Sequence, residues 1–148
     1  MIFNSIAVAS DHRGYWHKKD IVEYFKQNGF YVADYGTDSD AISVDYPDYV
    51  KPVADHVLKH ENTFGILICN SGIGMSIAAN RIRGIRAALC YREEVVEQAR
   101  EHTDANIICF GAAFISPEYA MRYIELFASI KFSEEYHVPR IKKIDKLR

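Results

Sequence analysis

The stretch FGILICNSGIGMSIAAN, Phe64 to Asn80, decides how the chain reads. Phe64 to Cys69 is a continuous apolar run of strand length, the pattern of a strand covered on both faces. A short polar loop with Gly72 and Gly74 follows at once, and a helix-competent segment, Gly74 to Ile82, follows the loop. Strand, tight loop and helix in immediate succession are the repeating unit of a parallel sheet with helical crossovers.

The same unit recurs in both directions. Strand-like runs are predicted at Ile6–Ala9, Phe30–Tyr35, Ile85–Cys90 and Asn106–Phe110. Between them, Lys18–Gln27 carries apolar residues at helical spacing and is stopped by Asn28-Gly29. Further helices are predicted at Tyr49–His60, with Pro52 in its first turn, at Glu93–Glu101 and at Pro117–Ile130. Ser116 is a good cap for the last of these, with Pro117 at the first helical position. A short final helix starts at Pro139. Five strand–helix alternations predict an α/β fold: one five-stranded parallel sheet with helices on both faces, in a single domain over residues 1–148. Gly36–Pro47 is the longest irregular stretch.

Composition bounds the function. The 148 residues are 49% hydrophobic and 26% charged, with net charge -2. That balance suits a soluble globular protein and offers no bulk electrostatic case for nucleic acid or an anionic membrane. No apolar stretch approaches a membrane span, and the N-terminus lacks the basic lead of a secretory signal. Three cysteines without framework spacing point to a reduced, cytoplasmic setting.

Ligands of such sheets sit at the carboxyl ends of the strands. Two groups fall there: Ser10-Asp11-His12 after the first strand, and Cys69-Asn70-Ser71-Gly72-Ile73-Gly74 after the third. The second loop offers bare N–H groups at a helix start, suited to a phosphate, a carboxylate or a developing oxyanion. It equally fits a buried strand-end cysteine with glycines that only turn the chain. Spacing excludes several sharper readings. No Gly-Lys-Ser/Thr completes a Walker loop. Ile77 stands where a dinucleotide fingerprint needs its third glycine, and Met75 where a cysteine phosphatase needs arginine. Cys69, Cys90 and Cys109 have no metal-ligand spacing.

The motifs together resemble the family of ribose-5-phosphate isomerase B and the galactose-6-phosphate and allose-6-phosphate isomerases. The matching pieces are ASDHRGY (Ala9–Tyr15), VDYPDY (Val44–Tyr49), ILICNSGIGMSIAANRIRGIRAAL (Ile66–Leu89), REHTDANIICFG (Arg100–Gly111) and HVPR (His137–Arg140). The resemblance implies a Rossmann-like three-layer sandwich. It also implies an aldose–ketose isomerase working through a cis-enediolate without metal or cofactor, in the pentose phosphate pathway if the sugar is ribose 5-phosphate. A hexose 6-phosphate remains the alternative substrate at this point.

By the same resemblance Cys69 is the carbon base, since Met75 occupies the place where some members carry an acidic one. The N–H groups of Asn70 to Gly74, through Gly72 and Ile73, would hold the enediolate oxygen. Ser71 would help move a proton between the sugar oxygens, and Asp11 would bind its hydroxyls. His12 and Tyr46 would line the phosphate end. His102 would open the sugar ring beside Thr103, and His137 and Arg140 would grip phosphate. Thr103 replaces a frequent asparagine, while Ala113 and Tyr136 stand where some members have arginine. Arg13 and Lys143 are candidate replacement charges. Arg83 and Arg86 read as structural, being near the start of the fourth strand, and Trp16 as helix packing.

His102 ends a helix before the fifth strand, at the amino edge of the sheet, whereas Cys69 is at the carboxyl edge. A six-residue strand spans roughly 20 Å, too far for one small sugar phosphate. The topology therefore predicts a homodimer with a composite site, as the resemblance also implies, with the tail from about residue 133 packed on the partner and further pairing into tetramers open. Two other readings are a phosphoryl carrier using Cys69 as phosphocysteine, and a sugar-phosphate-binding protein without turnover.

Overall fold

A computed structural model describes residues 2–147. Its five strands are β1 (Ser5–Ser10), β2 (Tyr31–Asp34), β3 (Thr63–Cys69), β4 (Ala87–Leu89) and β5 (Ile107–Gly111). The helices are α1 (Tyr15–Gln27), α2 (Val50–Lys59), α3 (Ile73–Ala79), α4 (Glu93–Thr103), α5 (Pro117–Ser129) and α6 (Val138–Asp145). Short 3₁₀ turns, Tyr46–Tyr49 and Glu135–His137, precede α2 and α6. The strands form one parallel sheet in the order β2-β1-β3-β5-β4. This is the three-layer α/β sandwich expected.

The continuous apolar runs work because each strand feeds two cores in alternation. Phe64, Ile66 and Ile68 join α1, α4 and α5 on one face. Leu67 and Cys69 point to the other face, against α2 and α3. Both faces are covered, so neither set of positions is free to be polar. Gly65 lies between them where no side chain fits: a Cβ there would sit 2.8 Å from Ile107 Cγ1 and 2.9 Å from Val53 Cγ1. Gly65→Ala is expected to destabilise the fold by about 1–3 kcal/mol through overpacking. A urea midpoint unchanged from the parent protein would contradict that.

Three local features differ from expectation. α1 starts at Tyr15, three residues early, because Asp11 Oδ1 accepts the N–H groups of Arg13 (2.9 Å) and Gly14 (3.1 Å) and anchors the turn before it. Trp16 does not pack into the core; it is 55% exposed and its Nε1 donates to Asp40 Oδ2 at 2.8 Å, tethering the long loop before Tyr46. β4 is shorter than the apolar run Ile85–Cys90 and lies at the sheet edge. There Asn80 takes the place of a further strand, its Nδ2 donating to Ala87 O (2.9 Å) and its Oδ1 accepting Ala87 N–H (2.8 Å).

One ion pair with a buried lysine is not visible in the sequence pattern. Lys18 is 3% exposed, and its Nζ lies 2.7 and 2.8 Å from the two carboxylate oxygens of Asp34. Asp34 Oδ1 additionally accepts Gly36 N–H, so the pair fixes the exit of β2. Ser116 caps α5 as expected, its side chain accepting Tyr119 N–H.

Candidate active site

The carboxyl ends of β1, β3 and β5 lie level, with Ser10 opposite Ile68 and Cys69 opposite Gly111. Their exits are then laced together. Asp11 N–H donates to Ile68 O (3.1 Å), Ala112 N–H to Cys69 O (2.9 Å) and Ala113 N–H to Asn70 O (3.0 Å). A rigid floor results from three strands, and the loop after β3 stands on it.

Within that loop Gly72 N–H donates to Cys69 Sγ at 3.2 Å. The turn depends on Gly72, which has φ +77°, in the left-handed region that favours glycine. A Cβ there would also lie 2.6 Å from Leu89 Cδ1 and 2.7 Å from the carbonyl carbon of Phe110. Ile73 N–H donates to Ser71 Oγ at 3.2 Å, a local turn that starts α3. The N–H groups of Ser71 and Gly74 have no partner among the described residues. With the Asn70 N–H, which also has no partner there, they are the free donors of the loop. Asn70 and Ile73 expose their side chains to solvent. α3 has only seven residues, so the site rests on individual N–H groups more than on a long helix dipole.

Cys69 is 4% exposed, buried but at the rim. The other cysteines are unlike it. Burial pushes the Cys90 thiol up to about 12. Burial, together with the neighbouring Cys90 and Cys69, also raises the Cys109 thiol well above its usual value. Neither can serve as a base near neutral pH.

Side chains from two other segments close over the loop. The phenol end of Tyr46 packs against Gly74, where an added Cβ would sit 2.6 Å from the phenol oxygen. His12 Nδ1 accepts Val44 N–H at 3.1 Å, which leaves its Nε2 as an N–H donor. Only Oδ1 of Asp11 is used inside the chain; Oδ2 has no partner among the described residues. Arg13 is exposed beside them and forms no ion pair there. The structure thus brings together Asp11, His12, Tyr46, Cys69, Asn70, Ser71, Gly72, Ile73 and Gly74.

His102, Thr103, His137 and Arg140 form a second group at the other end of the sheet. The His102 and His137 rings stack at 4.6 Å with 17° between planes. Tyr136 packs on His137 at 4.5 Å, and its ring lies 5.1 Å beneath the Arg140 guanidinium. Arg140 Nη1 donates to Tyr136 O at 2.7 Å. Loss of hydration lowers the His137 pKa, and His102 and Arg140 lower it further. The Thr103 hydroxyl donates to Ala99 O (2.6 Å), so its proton is already committed. Between the groups lies the whole of β5, whose four steps from Ile107 to Gly111 span about 13 Å. Within one subunit the two groups thus stand a strand length apart.

The second group borders a groove of about 1090 Å³ along the exposed edge of β4. Ile77, Ile82, Ile85, Val95, Ile144 and Leu147 supply its apolar walls, and His102, Thr103 and Arg86 lie in it. No cluster of three or more metal-ligating side chains occurs among the described residues. None of their helices is long and apolar enough to cross a membrane.

Residues 6–144 match the family model described as ribose/galactose isomerase. Ribose-5-phosphate isomerase B of Thermotoga maritima superposes with TM-score 0.93 at 45% identity, covering 97% of this chain and 98% of that one. The enzyme of the same name from Anaplasma phagocytophilum gives 0.91 at 41% identity, over 97% and 98% of the two chains. That of Mycoplasma genitalium, solved with bound ribulose-5-phosphate, gives 0.90 at 36% identity over 96% and 94%.

Proposed function

The chain belongs to the ribose/galactose isomerase family, and on that premise we propose that it interconverts ribose 5-phosphate and ribulose 5-phosphate with Cys69 as base. One observation carries the assignment of the base: Cys69 is the rim cysteine, held by Gly72 N–H beside the free N–H groups of Ser71 and Gly74. The solved neighbours are ribose-5-phosphate isomerases, which favours the pentose over a hexose 6-phosphate.

The chemistry follows from this arrangement. The furanose must first open: a proton leaves the C1 hydroxyl, one reaches the ring oxygen, and the C1–O4 bond breaks to give the aldehyde. His102 of a second copy supplies that transfer. The Cys69 thiolate then removes the proton on C2. Charge moves onto O1, where the Ser71 and Gly74 N–H groups meet it as a preorganised oxyanion hole. A proton passes from O2 to O1 within the cis-enediolate, with the Ser71 hydroxyl as relay. The Cys69 thiol returns its proton to C1, and the ketose forms. Asp11 Oδ2 accepts from a sugar hydroxyl, and the His12 Nε2–H donates toward the phosphate. Metal is not required at any of these steps.

A homodimer places the pieces. The apolar groove along β4 is the surface a second copy covers, and each copy presents its His137 and Arg140, held beside its own His102, to the phosphate in the other's site. The test is conversion of ribose 5-phosphate to ribulose 5-phosphate with EDTA present. Turnover is expected, and faster than on allose or galactose 6-phosphate. Absence of turnover on the pentose would overturn the reading.

A further inference from the structure

We propose that Arg86 is a positioning residue that sets the ring-opening half of the composite site, holding the helix of His102 and the helix of His137 in one register. This rests on the reading of His102 given above and deepens it.

Arg86 precedes β4 and is far from Cys69, yet its guanidinium reaches the second group from two sides. Its Nε donates to Thr103 O (2.9 Å) and Asp104 O (3.2 Å). Nη2 donates to Asp104 O (3.0 Å) and to Asp104 Oδ2 (3.2 Å). Those carbonyls end α4, directly after His102. The remaining arm, Nη1, reaches Asp145 Oδ1 at 3.2 Å, 59 residues away at the far end of α6. α6 begins beside His137, whose ring stacks on His102. One planar fork therefore ties the end of α4 to the end of α6, and the two imidazoles that stack on each other come from the end of α4 and the start of α6.

Arg86 is the donor to the last carbonyls of α4, Thr103 O and Asp104 O, but capping is not all it does. Arg100, 3% exposed, holds the turn after the helix from inside the core, donating to Asp104 Oδ1 (3.0 Å) and Ala105 O (2.6 Å). Beyond the cap, Arg86 adds the link to α6. Its own backbone is fixed, because its N–H donates to Asn106 Oδ1 (2.8 Å) and its carbonyl accepts Asn106 N–H (3.0 Å). The fork thus starts from the sheet and points outward. Lysine keeps the charge but cannot serve these four acceptors from one fixed plane.

The experiment separates ring opening from proton abstraction. Ribose 5-phosphate is a furanose and must be opened. Ribulose 5-phosphate cannot close a five-membered ring, because its O5 carries the phosphate, so it presents an open chain to Cys69. Exchange of its C1 hydrogen with D₂O, followed by proton NMR at saturating substrate, reads the Cys69 half alone. Turnover of ribose 5-phosphate reads both halves. In Arg86→Lys and Arg86→Ala, kcat for ribose 5-phosphate is expected to fall on the order of 10²-fold, as for an ångström-scale misplacement. The C1 exchange rate is expected to stay within about threefold of the parent, well inside a tenfold energetic step. The melting temperature and dimer mass of each variant are measured alongside.

Parallel loss of turnover and exchange would mean general damage to the fold and would overturn the proposal. So would unchanged ribose 5-phosphate turnover in Arg86→Lys. His102→Ala is the control for the premise. It should show the same split, and if it retains full ribose 5-phosphate turnover, the ring-opening assignment itself fails and takes the Arg86 role with it.

Discussion

Cys69→Ala is expected to lower ribose 5-phosphate turnover by roughly 10²–10⁴-fold, the usual worth of a positioned general base. C1–deuterium exchange on ribulose 5-phosphate should fall with it, since both need the same proton removed. Stability should change little. The side chain is small, it lies at the rim, and its removal leaves the Gly72 N–H without its acceptor at a cost of about 1 kcal/mol. Cys69→Ser tests the same point from the other side. Its hydroxyl can accept the Gly72 N–H, so the loop survives, but an alcohol is a far weaker acid than a thiol and supplies almost no base near pH 7. Serine should therefore be as inactive as alanine. A serine variant with most of the parent activity would mean that the proton leaves to another group. Cys90 and Cys109 cannot substitute in either variant, because burial holds both as neutral thiols.

The parts of this site that were legible in the sequence are those made by consecutive residues. Strand, glycine loop and helix are adjacent at Phe64–Asn80, and Asp11-His12 directly follows β1. Their period and turn chemistry carry the information. The opposite edges of Cys69 and His102 were also legible, because chain direction through a parallel sheet decides them. What was not legible depends on partners far apart in the chain. Lys18 and Asp34 look like solvated charges, and only the fold shows that Lys18 is buried against the more exposed Asp34. Arg86 and Asp145 are separated by 59 residues with no pattern to join them. Trp16 occupies a helical position that suits packing, but Asp40 draws its indole N–H to the surface. The shortened β4 reflects Asn80, a side chain that mimics a neighbouring strand. Periodicity records burial; it does not record which polar groups find each other.

A heterodimer of Cys69→Ala and His102→Ala chains is expected to recover about half the parent turnover, although each variant homodimer has lost it. The arithmetic follows from symmetry. In a composite site, one copy gives Cys69 and the other gives His102. The Cys69→Ala homodimer lacks the base in both sites, and the His102→Ala homodimer lacks ring opening in both. In the mixed pair, one site takes Cys69 from the His102→Ala chain and His102 from the Cys69→Ala chain, and is intact. The other site collects both changes and is dead. Co-expression with two different affinity tags, and purification through both, isolates the mixed pair for assay. If each subunit instead held a whole site, every site in the mixed pair would carry one lesion, and nothing would be recovered. Failure to recover activity in a pair shown by mass to be mixed would sink the composite site. The expectation stands on strand geometry. β5 separates the exit of α4 from the loop beside Cys69 by a strand length of about 13 Å, the separation that pairing two copies would remove.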